Sequence, residues 1–433
     1  MNLEAKIQQR SAHVGIVGLG YVGLPLAMEF AGAGYTVTGI ETDPGRAEAV
    51  QRGTSYIPDV SSEILSRLVE QRKLRAVTSY QVVSELDCVL ICVPTPLGKT
   101  RDPDISYIVS AVDQIAQRLH ADMLVVLEST TYPGTTEEVI KPRLEQGGLV
   151  VGRDFHLAFS PERVDPGNRE YFTRNTPKVV GGLTAACGRI ARLLYEQVVE
   201  QVVPVTSCAV AEMVKLLENT FRSVNIGLVN EIALMCDRLG LDVWEVIEAA
   251  GTKPFGFMPF HPGPGLGGHC VAIDPHYLSW KLRTLNYRAR FIELASEINS
   301  QMPDYVVSKV VDALNERKKS VNGSNILLLG AAYKKDTADT RESPGLDLYR
   351  LLADRGARMT FCDPYVKQFR VNGSIEHSVP LSSKRLQEQD CVVIVTDHSG
   401  IDYQWVVDES RLVVDTRNAT RDVERRGGKV VRL

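Results

Sequence analysis

Paired cysteines are missing from this chain. Its eight cysteines, Cys88, Cys92, Cys187, Cys208, Cys236, Cys270, Cys362 and Cys391, form no C-x-x-C pair, and none stands with a histidine at structural zinc spacing. That argues against a disulfide framework, and no metal ligand set is expected. Several cysteines lie in apolar runs (DCVLIC, MTFCD, DCVVIV), where a thiol acts as a small buried hydrophobe. A reduced, cytoplasmic protein is expected. No apolar run approaches membrane-spanning length, and the polar start MNLEAKIQQR has no signal-peptide core. Neither a membrane partner nor secretion is expected. An excess of basic charge is absent too: 49 Lys and Arg against 53 Asp and Glu leave a net charge of −4, so nucleic acid is not the expected partner. What is present is ordinary for a globular protein. The 433 residues are 44% hydrophobic and 24% charged, enough for two or three domains with cores of their own.

The run HVGIVGLG breaks into Gly18-Leu19-Gly20-Tyr21-Val22-Gly23, then a helical pattern (LPLAMEFAGAG), then YTVTGIE ending on Glu41. Strand, GxGxxG, helix, strand and acid is the order of a dinucleotide-binding unit. In such a unit Gly18 makes the tight turn, Gly20 admits the pyrophosphate, and Gly23 lets helix and strand pack closely. Glu41 would accept from the ribose hydroxyls and repel a 2′-phosphate, which favours NAD over NADP; Arg46 is near enough to reach the adenosine side. Further strand-like runs follow in DCVLICVPTP, DMLVVLEST, HLAFSPER, PKVVGG and EQVVPV. Alternation with helical stretches predicts a mostly parallel, doubly wound sheet, with ligands at the carboxyl ends of its strands. Three of those ends carry polar tips, Pro94-Thr95-Pro96, Ser129-Thr130 and Ser160-Pro161-Glu162. Singly they are turn chemistry; together they read as one wall of a cleft.

From Ala209 to Leu239 there is no proline and one glycine, and apolar residues recur with helical spacing. A long helix is predicted, a spine between domains and a dimer interface, stopped at Gly240. Lys215 and Asn219 share one of its faces; on their own they would be solvated polar residues. A second helix should run from the cap-like Asp242 to Gly251. Next comes a long loop of Gly, Pro and aromatics, and within it the stretch GPGLGGHCVAIDPHYLSWK from Gly263 to Lys281. Its glycines allow close backbone approach to a ligand, and Cys270 closes the loop with Asp274 four residues on. That is a candidate nucleophile beside a base. The same residues also read as a glycine-rich turn with one buried cysteine. Helical patterns resume from about Arg288 to Arg317, with a restart expected at Pro303. After the linker SVNGSN a second α/β unit follows: NILLLG, the polar loop AAYKKDTADTRESP, a helix, ARMTFCDP, CVVIVTDH, RLVVDTRN and KVVRL. It repeats the first unit without a GxGxxG. Lys334, Lys335 and Arg341 concentrate donors for a phosphate in its loop, unless that loop is only a solvated charged one.

Several stretches together resemble the UDP-glucose/GDP-mannose dehydrogenase family, over nearly the whole chain: Gly18 to Gly23, EST at Glu128, SPER at Ser160, KLLEN with Lys215 and Asn219, GGHC with Cys270 and Asp274, and YKKDTADTRES at Tyr333. SPERVDPGN and the cysteine stretch are most similar to the bacterial branch of UDP-N-acetylglucosamine (or UDP-N-acetylgalactosamine) 6-dehydrogenases. UDP-glucose enzymes carry SPEFL and a further glutamate where this chain has Pro166.

The resemblance implies an α/β fold of two Rossmann-like doubly wound domains joined by a long central helix. It implies an NAD-binding domain over residues 1–206, a helical dimerisation and catalytic domain over 207–302, and a UDP-sugar-binding domain over 303–433. It implies a cytoplasmic homodimer that oxidises the C6 alcohol of a UDP-sugar to the carboxylate with two NAD+, for surface polysaccharide synthesis. Cys270 would carry a thiohemiacetal and then a thioester, Lys215 and Asn219 would steady the oxyanion, and Asp274 would act with Lys215 as base. Thr130 would place a water and Glu162 would assist hydrolysis. NAD would meet Gly18, Gly20, Tyr21, Val22, Gly23, Glu41, Arg46, Thr95, Thr130 and Arg341. The UDP-sugar would meet Glu162, Arg163, Lys215, Asn219, Phe260, Gly263, Gly265, Gly267, Tyr333, Lys334 and Arg417, with Lys253 as the basic residue given to a dimer partner. His269 is a branch feature, and His261 and His276 are structural. UDP-N-acetylmannosamine and UDP-glucose remain as substrates. A two-electron hydroxyacid dehydrogenase with a merely buried Cys270 is the simpler enzyme, and a non-catalytic nucleotide-binding protein the other alternative.

Overall fold

Apolar runs of four or five residues become the strands of an eight-stranded sheet: β1 (His13–Val17), β2 (Thr36–Ile40), β3 (Leu74–Val77), β4 (Cys88–Ile91), β5 (Leu124–Leu127), β6 (His156–Phe159), β7 (Lys178–Gly182) and β8 (Val202–Val205). The order is β3-β2-β1-β4-β5-β6-β7-β8, parallel except where β6 meets β7. The central strands β4 (CVLI) and β5 (LVVL) are apolar and buried at every position because both faces are covered. In β4, Cys88 and Leu90 face one core while Val89 and Ile91 face the other. The chain runs outward from β1 to β3 and then crosses back to β4. The switch point, where such sheets bind ligands, therefore lies between β1 and β4.

This sheet belongs to the first of two units, Met1–Glu218 with His276–Tyr287; the second is Asn219–Pro275 with Arg288–Leu433. The structure, a computed structural model, describes the whole chain except Pro58, Asp59, residues 99–101, Pro166, Gly167, Arg169, Arg425 and Arg426, and the side chains of His269 and Cys270.

The second unit carries β9 (Asn325–Leu329), β10 (Arg358–Cys362), the antiparallel hairpin β11 (Gln368–Val371) and β12 (Ser374–His377), then β13 (Cys391–Ile394), β14 (Val413–Asp415) and β15 (Val430–Arg432). Its parallel sheet has the order β10-β9-β13-β14-β15, which repeats β2-β1-β4-β5 of the first. The predicted doubly wound folds are both present.

The long helix spans Cys208–Leu239, one residue longer than the sequence suggested. Gly240 ends it with φ +69°, a conformation that favours glycine. The next helix is Val243–Gly251, capped by Asp242, whose side chain accepts from the Trp244 N–H. One expectation fails. Pro303 restarts nothing, because a single helix runs Arg290–Glu316 with Pro303 buried inside it. Proline removes the N–H that would reach the Asn299 carbonyl one turn back. Burial of Asn299, Met302, Val306, Val307 and Val310 on one face holds the helix through that gap. The cysteine also lies deeper in its helix than expected. That helix spans His269–Thr284, so Cys270 stands in its first turn and Asp274 in its second.

Candidate active site

In the first unit the turn after β1 carries Gly18 at φ +88°, and a Cβ on Gly23 would lie 1.9 Å from the Gly18 carbonyl oxygen. Both positions therefore require glycine. A Cβ at Gly20 would meet nothing within 4 Å, so open space adjoins that backbone, and the helix Gly23–Gly32 begins there. Buried Glu41, at the end of β2, holds the turn by accepting from the Leu19 N–H (3.0 Å) and the Asp43 N–H (3.1 Å). An open glycine turn, a helix N-terminus and an acid at the next strand end fit the pyrophosphate and ribose of NAD. Tyr21 is exposed and Val22 half-buried. Arg46 stands over the Tyr56 ring (5.5 Å) and near Asp43 (3.9 Å). Thr95 is buried, and its carbonyl accepts from the Tyr277 hydroxyl at 2.9 Å. Thr130 is half-buried just past β5.

The same unit holds a charged cluster at the ends of β5, β6 and β7. Lys178 Nζ lies 2.5 Å from Glu128 Oε2 and 3.6 Å from Glu162 Oε2. The Tyr195 hydroxyl donates to the other Glu128 oxygen. Glu162 Oε1 accepts from the N–H groups of Arg163 (2.7 Å) and Val164 (2.5 Å). Lys215 Nζ, reaching from the long helix, donates to the Glu162 carbonyl at 2.5 Å. Burial opposes the Glu162 charge most strongly, but Lys178, the two N–H groups and Lys215 together outweigh it and hold the carboxyl below its usual range. For Glu128 burial prevails and raises the carboxyl, whereas Lys178, despite its own burial, is held cationic by its two acids. Arg163 is committed elsewhere, to Glu218 (2.6 Å) and the Pro177 carbonyl (2.6 Å).

In the second unit Asn219 and Asp274 are both buried, and Asn219 Nδ2 donates to Asp274 Oδ2 at 2.5 Å. Arg222 donates to the Asn219 amide oxygen. The glycine loop packs on the C-terminal sheet's loops. Ideal Cβ atoms on Gly263 and Gly267 would lie 2.6 Å from Arg417 Nη1 and 2.4 Å from Tyr333 Cβ. Gly265 lies against Pro344, and the Gly268 N–H donates to the Arg341 carbonyl at 3.0 Å. Phe260 is half-buried and stacks edge-on with Phe221. Lys334 is half-buried; the Arg341 guanidinium pairs with Asp339 (2.6 Å) and Lys253 lies over the Phe255 ring (5.1 Å). The Cys270 side chain lies outside the described residues.

Lys215 and Asn219 are thus buried and engaged rather than solvated. Lys178, Tyr195 and Tyr277 were missed by the sequence reading. A signal for Lys178 existed. Glu128 ends an apolar strand and Lys178 opens one, and a buried acid needs a cation. Among the described residues no group of three or more His, Cys, Asp or Glu is placed to hold a metal ion, and no helix is long and apolar enough to cross a membrane.

The UDP-glucose/GDP-mannose dehydrogenase family models match in three parts: the NAD binding domain over residues 12–199, the central domain over 209–301 and the UDP binding domain over 327–422. A UDP-N-acetyl-D-glucosamine 6-dehydrogenase of Pseudomonas aeruginosa is 37% identical over 355 residues, 82% of this chain and 83% of that one. A UDP-N-acetyl-D-mannosamine dehydrogenase of Methanococcus maripaludis is 33% identical over 416 residues, 93% of this chain and 92% of that one. The solved UDP-D-ManNAc dehydrogenase of Pyrococcus horikoshii superposes with a TM-score of 0.86 at 33% identity, covering 94% of this chain and 96% of that one.

Proposed function

This chain belongs to the UDP-glucose/GDP-mannose dehydrogenase family, and from that premise we propose that it oxidises the C6 alcohol of UDP-N-acetylglucosamine to the uronic acid. The coarser activity, NAD-dependent oxidation of a UDP-sugar, follows from the family. Residues 1–206 bind NAD, 207–302 carry the catalytic helices and 303–433 bind the UDP-sugar. The cradle after β1 would hold NAD+, which would supply the hydride acceptor, two NAD+ being bound in succession for each sugar oxidised. Asp274 with Lys215 takes the hydroxyl proton as the first hydride leaves. The Cys270 thiolate then adds to the aldehyde carbon, which keeps a reactive product bound. Lys215 and Asn219 donate to the oxyanion. Loss of the second hydride from the thiohemiacetal carbon leaves a thioester. Water placed by Thr130 and deprotonated by Glu162 attacks it, the C–S bond breaks and the thiol returns. Glu162, whose carboxyl is held low, is ionised for that task.

One observation carries this reading: the Asn219–Asp274 hydrogen bond. It joins the long helix to the cysteine helix one turn from Lys215 on the first and one turn from Cys270 on the second. For the sugar, SPERVDPGN without a glutamate at position 166 and the 37% identical relative support the N-acetylglucosamine branch. The exposed apolar stripe of the long helix, Met213, Leu217, Phe221 and Leu228, supports a homodimer. We place the enzyme in the cytoplasm, supplying uronic acid for surface polysaccharide.

The test is NADH formed per sugar consumed, over a panel of UDP-N-acetylhexosamines and UDP-glucose, with Cys270→Ser alongside. Two NADH per UDP-N-acetylglucosamine, with the variant stalled, is the expected result. One NADH with an unaffected variant refutes the thioester route, and a preference for UDP-N-acetylmannosamine refutes the choice of sugar.

A further inference from the structure

We propose that the C-terminal sheet carries a second nucleotide site, for an adenine mononucleotide, separate from the loops assigned to the UDP-sugar. The second unit holds a cavity of about 680 Å3, within the range of about 300–1,000 Å3 usual for small-molecule sites. Three segments line it: the end of β10 at Cys362 to Pro364, the segment after β12 at Ser378 to Leu381, and the stretch Gly400 to Trp405 that follows β13 and enters the helix Tyr403–Glu409.

Topology gives these segments a meaning. With β9, β10, β13 and β14 standing where β1, β2, β4 and β5 stand in the first sheet, the cavity lies outside the carboxyl ends of the β2 and β4 equivalents. The segment after β12 runs beside β10, where the Val379 N–H donates to the Phe361 carbonyl at 2.9 Å. The end of β3 lies beside the end of β2 in the first sheet, where the Val77 carbonyl accepts from the Glu41 N–H at 2.9 Å. In a dinucleotide-binding fold this corner receives the adenine end of the cofactor. The lining suits a planar base. Pro364, Val379, Leu381, Ile401 and Trp405 supply apolar walls, and the Trp405 indole is fixed by donating to Ser383 Oγ at 3.2 Å.

The same geometry excludes a dinucleotide. Asp363 occupies the place of Glu41, but where Glu41 accepts from two N–H groups, one of them in the turn after β1, Asp363 accepts from four N–H groups and a histidine, two of those N–H groups in the turn after β9. One of its oxygens accepts from the N–H groups of Tyr365 (2.8 Å) and Val366 (2.9 Å), the other from those of Ala331 (2.7 Å) and Ala332 (3.1 Å) and from His398 Nε2 (3.0 Å). The backbone donors that would cradle a pyrophosphate are thereby spent on Asp363. A phosphate attached to a base in this cavity has to point outward instead, where Lys367 stands exposed on the rim.

Equilibrium dialysis of AMP against the full-length protein tests this. Two AMP per chain are expected without NAD+, and one per chain with NAD+ at saturation, since NAD+ fills only the cradle after β1. Lys367→Glu, a change on the surface, should weaken the NAD+-resistant site about tenfold and leave the other unchanged; Ile401→Arg should abolish it. No AMP bound in the presence of saturating NAD+ overturns the proposal, as does a resistant site indifferent to both variants. UMP bound there as tightly as AMP overturns the assignment to adenine. Turnover of the UDP-sugar plays no part in the readout, so the proposal stands or falls apart from the sugar assignment.

Discussion

Replacing Lys178 with methionine removes the cation at the centre of the first unit's charged cluster while keeping the length of its stem. The side chain of Lys178 is 5% exposed and that of Glu128 is fully buried. Truncating one partner of a buried ion pair costs about 3–5 kcal/mol, because the remaining charge has neither partner nor water. For a unit of this size each kcal/mol moves the melting temperature by about 2–4 °C, so calorimetry should find the variant's first transition lowered by roughly 6–20 °C. Glu162 should respond as well. At 3.6 Å and an effective dielectric of about 20, Lys178 contributes about 4–5 kcal/mol to its ionised form. The two backbone donors and Lys215 remain, but without Lys178 burial weighs more heavily and the Glu162 carboxyl should rise from its lowered range. If Glu162 is the hydrolytic base, the acid limb of kcat moves to higher pH. A second change, Glu128→Gln in the Lys178→Met background, neutralises the stranded acid and should recover more than half of the lost stability. The two single losses would then be strongly non-additive. A melting temperature within about 2 °C of wild type refutes the reasoning, and so do additive losses.

Two further outcomes follow from the second unit and the long helix. Burial opposes the Asp363 charge, but His398 and the backbone donors outweigh it and bring its pKa to about 2. A folded value below the unfolded one gives stability that is present above about pH 4 and lost as pH falls towards 2, worth about 2 kcal/mol. Asp363→Asn should lose that amount at neutral pH and flatten acid unfolding of this unit between pH 4 and 2; an unchanged acid limb in urea titrations rules it out. Leu217 and Phe221 are 58% and 47% exposed, so changing both to aspartate should leave the fold intact and halve the sedimenting mass; a wild-type monomer ends the dimer reading.

Much of this molecule was legible because its signals are local. The long helix shows itself by periodicity, the NAD cradle by glycines whose neighbours forbid a side chain, and the Val243–Gly251 helix by its Asp242 cap. Other features depend on partners far along the chain. Strand β3 is four residues, LRAV, with an exposed arginine, and becomes a strand only by pairing with β2. Pro303 looks like a helix break until the apolar face around it is known to be buried. Lys178 is 50 residues from Glu128; each charge adjoins an apolar run, but the sequence does not say that the two meet. Tyr277 is 182 residues from the carbonyl it serves. The candidate site divides the same way: Glu162 and Lys215 stand on recognisable stretches and could be named, whereas Lys178, which also holds the Glu162 charge, could not.

The discontinuity of the first unit bears on how the chain is made. Its main body ends at Glu218, yet it also contains His276–Tyr287. Tyr277 from that late segment is fully buried, and Leu278 and Ser279 are nearly so. During synthesis the first 218 residues therefore emerge with a vacancy in their interior and must wait for a piece encoded almost sixty residues later. Loop closure over that distance is slow compared with pairing of neighbouring strands. A ribosome that stalls between these segments strands a nearly complete nucleotide-binding domain with apolar surface uncovered, the species that chaperones engage.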